Sequence, residues 1–306
     1  MALSAYQFNY FYSKDGNSGS LLFGAGTPYA VMDIDGLAGL PDLRVQDAPR
    51  GYSDGYFTGR DFFDGRHLTF TLNIFAGNGN SAQQNWALLQ AALNPISQFT
   101  TETFGVTAGN SYIQFKLSAT DGERVINARV RTRKALVDPE YTYGMIRAQI
   151  EFFAPDYRYY SNTITYGGTL TPALANGRIY NRTYNLVYSQ ALRTPPYSPA
   201  LGSVDNSTGT APAAPLFLIQ GPVVNPQISN YNTGEYIQLV GSFASTDQIR
   251  IDFGKNTVTL NGSNARNLMT GGSSFFAFGS AAVTPVYFSA ASSSGTADYT
   301  YRVAYV

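Results

Sequence analysis

The chain has no cysteine, a single histidine and a single tryptophan. Without cysteine there can be no disulfide, thiol nucleophile, thiolate zinc site or iron–sulfur cluster. The redox compartment is therefore left unread. One histidine cannot build a histidine-rich metal centre and leaves one imidazole for acid–base chemistry. Charge is scarce too: 13% of residues are charged, against about 25% in an ordinary globular chain. Lys+Arg 20 and Asp+Glu 20 cancel. A neutral, charge-poor surface argues against nucleic acid or an anionic membrane as the main partner, and it opposes self-association only weakly. No stretch of 18 apolar residues occurs, so no membrane-spanning helix is expected. The opening MALSAYQFNYFYSKDG lacks a basic n-region and an apolar h-region, so no signal peptide is read.

What the chain does have is apolar and aromatic residues in alternation. Hydrophobic residues make up 44% of its 306 positions, enough for a folded core, and the length favours two domains. In Arg66–Phe75, Leu68, Phe70, Leu72 and Ile74 share one face, while His67, Thr69, Thr71 and Asn73 share the other. In Met145–Phe153, Ile146, Ala148, Ile150 and Phe152 oppose Arg147, Gln149 and Glu151. At the C-terminus Tyr299, Tyr301, Val303 and Tyr305 alternate with polar or small residues. Period two with one polar face predicts half-buried antiparallel strands. Ser81–Pro95, SAQQNWALLQAALNP, predicts the one substantial helix: Ser81 as N-cap, Trp86, Leu89 and Leu93 on one face, and Pro95 as the stop.

The charges divide unevenly, 28 in residues 1–160 and 12 in 161–306. This places a boundary near Phe153–Ser161, with domains 1–160 and 161–306. The second half predicts further short strands: Pro215–Gly221, Tyr236–Gly241, a hairpin in which Ile249, Ile251 and Phe253 face Val258 and Leu260, Ser273–Phe278 and Val286–Ala290. Together they predict a second β-sandwich. Thr194–Pro215, rich in Pro, Ser, Thr and Gly, reads as a long loop. The fold class is mainly β, in two domains with one helix in the first.

Candidate chemistry is thin. His67 falls on a polar strand face with no serine or cysteine elbow beside it, which fits a surface or interface histidine better than a catalytic one. Asp61 and Asp64 form a carboxylate pair of the kind glycosidases use, but Asp64-Gly65 is more simply a turn. Asp33-Ile34-Asp35-Gly36 has the first residues of a calcium loop without its distal glutamate and reads as a turn. In Val125–Lys134, VINARVRTRK, Arg129, Arg131 and Arg133 fall at period two opposite Ile126, Ala128 and Val130. Such a stripe is a solvated face, an ion-pair face shared with Glu151, or the wall of a subunit interface or charged channel. No catalytic, cofactor or metal site is expected.

In the second half, GPVVNPQISNYNTGEYIQL, DQIRIDFGKNTVTLNG and SSFFAFGSAA follow one another. In that order they resemble the C-terminal galectin-like sandwich of siphophage distal tail proteins. GLAGLPDLRVQDAPRGYSDGYFTGRDFFDGRHLTFTLNI, the helix and FFAPDYRYYS resemble that family's N-terminal tail-fold domain. The resemblance implies a structural hub at the virion's tail tip: a homo-oligomeric ring, typically a hexamer, built by the first domains around the DNA channel, with the second domains splayed outward. It also implies the partners: tail tube protein, tape measure protein, tail-associated hub protein and receptor-binding proteins, with genomic DNA only in transit and no membrane. On this basis Arg129, Arg131 and Arg133 belong near the ring lumen or a subunit seam. The rival functions are a carbohydrate-binding adhesin, disfavoured because the only Trp and the only His lie in the first domain, and a cell-wall hydrolase, supported by loose carboxylates alone.

Overall fold

The computed structural model describes residues 2–14, 17–94, 111–174, 201–293 and 295–306. The chain falls into two compact units, 1–162 with 306, and 163–305.

The first unit packs two antiparallel sheets face to face. One runs β2 (Asn17–Gly24), β1 (Gln7–Lys14), β9 (Ser111–Lys116), β10 (Arg124–Asn127), β13 (Tyr159–Ser161). The other runs β11 (Arg129–Ala135), β12 (Ile146–Ala154), β8 (Arg66–Ile74), β3 (Tyr29–Asp35). Phe8 and Phe23 from the first sheet meet Phe70 edge-on, each with ring centroids 5.3 Å apart. Tyr10 meets Phe152 at 5.2 Å. These aromatic contacts, edge-to-face at Phe70, add to the burial term that alternation supplies. β8 and β12 bury every second residue over their full length, as period two predicts.

Helix α1 (Ala82–Ala92) starts at Ser81 through a capping box. Ser81 Oγ accepts the Gln84 N–H at 3.2 Å, and Gln84 Oε1 accepts the Ser81 N–H at 2.8 Å. Its buried stripe is Ala82, Asn85, Leu89 and Ala92. Leu89 and Leu93 are buried as expected, but Trp86 rides half-buried at the margin. Asn85 takes the central place because its side-chain amide donates to Phe75 O at 2.8 Å, and its backbone carbonyl accepts the Tyr29 hydroxyl at 3.0 Å. Pro95 lies outside the described residues.

The second unit is again two packed sheets. One orders Thr165–Leu170, Thr296–Tyr301, Leu216–Gln220, Gln248–Asp252, Thr257–Leu260 and Ser263–Asn264. In the other, Ala282–Ala290 pairs with both Gln227–Asn230 and Gly202–Asn206. The predicted hairpin holds, with Ile249 opposite Leu260 and Ile251 opposite Val258. Three sequence expectations are corrected. Ser273–Ala277 is extended loop, in which the Ser273 hydroxyl takes the place of a ladder partner by accepting the Gln238 N–H at 2.8 Å, and Phe278 makes only an isolated bridge to Ala213. Phe276 and Phe278 still reach the core and pack on Phe253, each at 4.9 Å. Within the expected loop Thr194–Pro215, Gly202–Asn206 is a strand, and residues 194–200 lie outside the described residues. The C-terminal alternation slips after Tyr301: Ala304 is buried and Tyr305 half-buried. Buried Asn206 causes the slip by accepting the Ala304 N–H at 3.1 Å.

Candidate assembly surface

The arginine stripe is not one stripe. Val125–Lys134 divides at Ala128, where the chain crosses from one sheet to the other. Ala128 is fully buried, its N–H donates to Ser111 O at 3.2 Å, and its carbonyl accepts the Ser111 hydroxyl at 2.6 Å. Beyond it, β11 carries a bulge between Val130 and Thr132. A bulge adds one residue and so exchanges the faces of whatever follows. Arg129 lies opposite Phe153 on the outer face, but Arg133 lies opposite Ile150 on the core face. Its guanidinium caps the C-terminal end of α1, with Nη1 donating to Gln90 O at 2.7 Å, Leu93 O at 2.9 Å and Asn94 Oδ1 at 2.9 Å. A cation is favoured at that end of a helix. Arg131 sits at the bulge, exposed, 4.8 Å over the Phe153 ring.

Phe153 apart, the outer face of this sheet is mainly polar. Glu151 accepts from Thr132 at 3.1 Å and meets His67 Nδ1 at 2.8 Å. The hydrogen bond from His67 leads in holding the Glu151 carboxyl below its ordinary pKa. His67 is thus an exposed pairing residue on the strand face where its sequence pattern placed it. Asp33 and Asp35 lie in the last three residues of β3, outward-facing opposite Thr71 and Thr69, and not in a turn. The turn begins at Gly36, whose φ of +80° and whose position, where a Cβ would stand 1.9 Å from His67 O, admit only glycine. Asp64 accepts the neighbouring Gly65 N–H at 2.8 Å, but the turn expected at Asp64-Gly65 is corrected: the two residues link strand Phe62–Phe63 to β8 without a turn. Among the described residues no three His, Asp or Glu groups converge to hold a metal.

Arg66 carried no distinctive sequence signal. It is 1% exposed. Nη1 donates to Gly36 O and Gly39 O, each at 2.7 Å, and Nε to Tyr157 O at 3.2 Å. The guanidinium lies 4.6 Å over the Tyr159 ring, whose hydroxyl donates to Leu37 O at 2.6 Å. Burial pushes the Tyr159 pKa up to about 12, opposed by Arg66. These bonds fix the loop from which a long hairpin departs. In that hairpin β4 (Leu43–Arg44) pairs with β7 (Phe62–Phe63), and β5 (Ala48–Pro49) with β6 (Tyr56–Phe57). It exposes Leu40, Val45, Tyr52, Tyr56 and Phe57. Clustered exposed apolar residues of this kind mark a contact surface.

Two comparisons find similar proteins among phage tail components. Residues 208–305 match the family described as Siphovirus-type tail component, C-terminal domain. Over 98% of this chain and 99% of the other, the fold matches the Dit (gp 19.1) protein of phage SPP1, described as a paradigm of hub adsorption apparatus in Gram-positive infecting phages, with a TM-score of 0.60 and 12% identity. A chain of the phage P2 baseplate in its activated conformation with Ca matches over 97% of each chain, with a TM-score of 0.50 and 12% identity. No curated protein sequence matches. The resemblance to siphophage distal tail proteins thus holds by sequence over 208–305 and by fold along nearly the whole chain.

Proposed function

We propose that this chain is a structural subunit of a siphophage tail tip, a distal tail or baseplate hub protein that forms a ring and joins the tail tube to the adsorption apparatus. The observation that carries it is the family match over 208–305, set in a chain whose two units share one fold with a phage hub protein from end to end. The surface supports the same function. The hairpin 40–63 offers apolar and aromatic side chains to a partner, and among the described residues the sheet β11-β12-β8-β3 has no further strand at either edge, so that a neighbour can extend it. The resemblance supplies the hexamer, the galectin-like character of the second unit and the partners: tail tube, tape measure, tail-associated hub and receptor-binding proteins. In this arrangement the first unit rings the DNA path and the chain is not an enzyme.

Negative-stain microscopy of the purified protein, alone and with its tail tube and hub partners, tests the proposal. Closed rings of about six subunits, and antibody labelling at the tail tip of virions, are the expected results. A protein that stays monomeric with every partner present overturns it.

A further inference from the structure

Two asparagine–glycine pairs occupy the same kind of turn, one in each unit. Asn78-Gly79 lies between Gly77 and Asn80, which exchange two backbone hydrogen bonds at 3.0 Å each. Asn261-Gly262 lies between the paired residues Leu260 and Ser263. All four turn residues take left-handed φ, +55° and +79° in the first turn and +50° and +81° in the second. This is the two-residue turn that Asn-Gly favours. Both asparagines are exposed. A third pair, Asn176-Gly177, lies outside the described residues.

The side chains differ where the backbones agree. Asn261 is held at both ends of its amide: Nδ2 donates to Asp247 Oδ1 at 2.9 Å, and Oδ1 accepts the Gln248 N–H at 2.9 Å. Among the described residues the Asn78 amide has no such bond. It is free to swing back onto the backbone nitrogen of the next residue, and a glycine there has no Cβ to cover that nitrogen.

We propose that Asn78 is a site of spontaneous deamidation, and that Asn261, in the same turn, is protected. The Gly79 nitrogen attacks Asn78 Cγ and closes a cyclic imide. The Cγ–Nδ2 bond breaks, and ammonia leaves with the proton of the Gly79 N–H. Solvent water then opens the imide at either carbonyl, giving aspartate or isoaspartate and one new negative charge. Isoaspartate routes the main chain through Cβ and Cγ and so lengthens the turn by a carbon. A turn closed by two reciprocal bonds has no slack for it, so the Gly77–Asn80 pairing opens. Ser81, the next residue, is the N-cap of α1. The modification therefore loosens the start of the helix. It is independent of the hub function proposed above.

The test ages the full-length protein at mildly alkaline pH, folded and in concentrated urea. Peptide mass spectrometry follows conversion, and an isoaspartate-specific methyltransferase gives a second readout. In the folded chain the Asn78 peptide is expected to convert at least roughly tenfold faster than the Asn261 peptide, because two hydrogen bonds must break first at Asn261 alone. In urea the two rates are expected to converge. Asp247→Ala removes one of the two bonds and is expected to speed conversion at Asn261 in the folded chain. Asn78→Gly keeps a residue that accepts left-handed φ and has no amide to lose. The aged parent chain is expected to lose thermal stability that aged Asn78→Gly retains. Equal rates in the folded chain, or faster reaction at Asn261, overturn the proposal. Conversion at Asn78 with no loss of stability relative to aged Asn78→Gly overturns its link to α1.

Discussion

Arg133 Nη1 donates to the Leu93 carbonyl at 2.9 Å, so a strand arginine closes the C-terminal end of the first unit's helix. Hydrogen bonds from a charged donor are worth about 1.5–3 kcal/mol each at best, and helix-end placement adds to them. Arg133→Gln is expected to destabilise the chain by about 1–3 kcal/mol in urea unfolding. Arg131→Gln, exposed at the bulge, is expected to stay within about 0.5 kcal/mol. Equal effects would show that the bulge does not separate the two side chains.

The helix face gives a second contrast. Leu89 is fully buried and its neighbour Leu88 is exposed. Leu89→Ala removes buried methyls and leaves a cavity, an expected cost of about 2–5 kcal/mol. Leu88→Ala is expected to cost under about 0.5 kcal/mol. Thermal unfolding of the two variants checks the assignment.

Arg66 ties three loop carbonyls to one buried fork. A lysine carries the same charge but cannot reproduce the fork. Arg66→Lys is therefore expected to lower stability measurably and to speed hydrogen exchange in the hairpin that starts at this loop, with smaller changes in β12. Unchanged exchange across 37–64 would show that the hairpin root is held by other contacts, such as the Asp64 N–H on Asp42 O at 2.8 Å.

Glu123 provides a pH test. Burial raises its carboxyl pKa, but donors from Leu3 N–H, Gln114 and Asn162, at 2.7, 2.6 and 2.8 Å, outweigh burial and hold it below the ordinary 4.5. A pKa depressed by folding stabilises the chain above the unfolded value, and that stability is lost as pH falls through the folded value. The parent chain is thus expected to lose stability below about pH 4.5 more steeply than Glu123→Gln, and the gap between them seen at pH 7 should close. Parallel pH profiles would contradict this.

Much of this was legible in the sequence because alternation reports burial directly. Leu68 to Ile74 and Ile146 to Phe152 carry their faces in their spacing. Ser81 and Gln84 name the helix start. The arginine stripe was misread because a bulge adds a residue without changing composition, so Arg133 looks like Arg129 until the ladder is seen. Ser273–Phe278 looked like a strand because its phenylalanines are buried, yet burial is possible from a loop once Ser273 substitutes for the ladder. Arg66 was invisible for a different reason: its partners are backbone carbonyls of Gly36, Gly39 and Tyr157, and carbonyls leave no trace in residue type.

The last prediction concerns whether the two compact units are also folding units. Residues 163–305 enclose a core of their own. Phe217, Ile249, Ile251 and Val258 on one sheet face Ile228, Val286 and Phe288 on the other, all buried within one cluster. Aromatic contacts inside it, such as Phe217 stacked on Tyr299 at 5.3 Å, join residues of the same unit. A unit of this size buries about two thirds of the surface its unfolded chain exposes, enough for a cooperative fold without help from a neighbour. A fragment of residues 163–306 is expected to unfold in a single transition. In the full chain, Leu89→Ala is expected to lower the transition of the first unit and leave the second where the fragment places it. A fragment that unfolds without cooperativity, or a Leu89→Ala chain in which both transitions move together, would mean that the division seen in the contacts is not a division in folding.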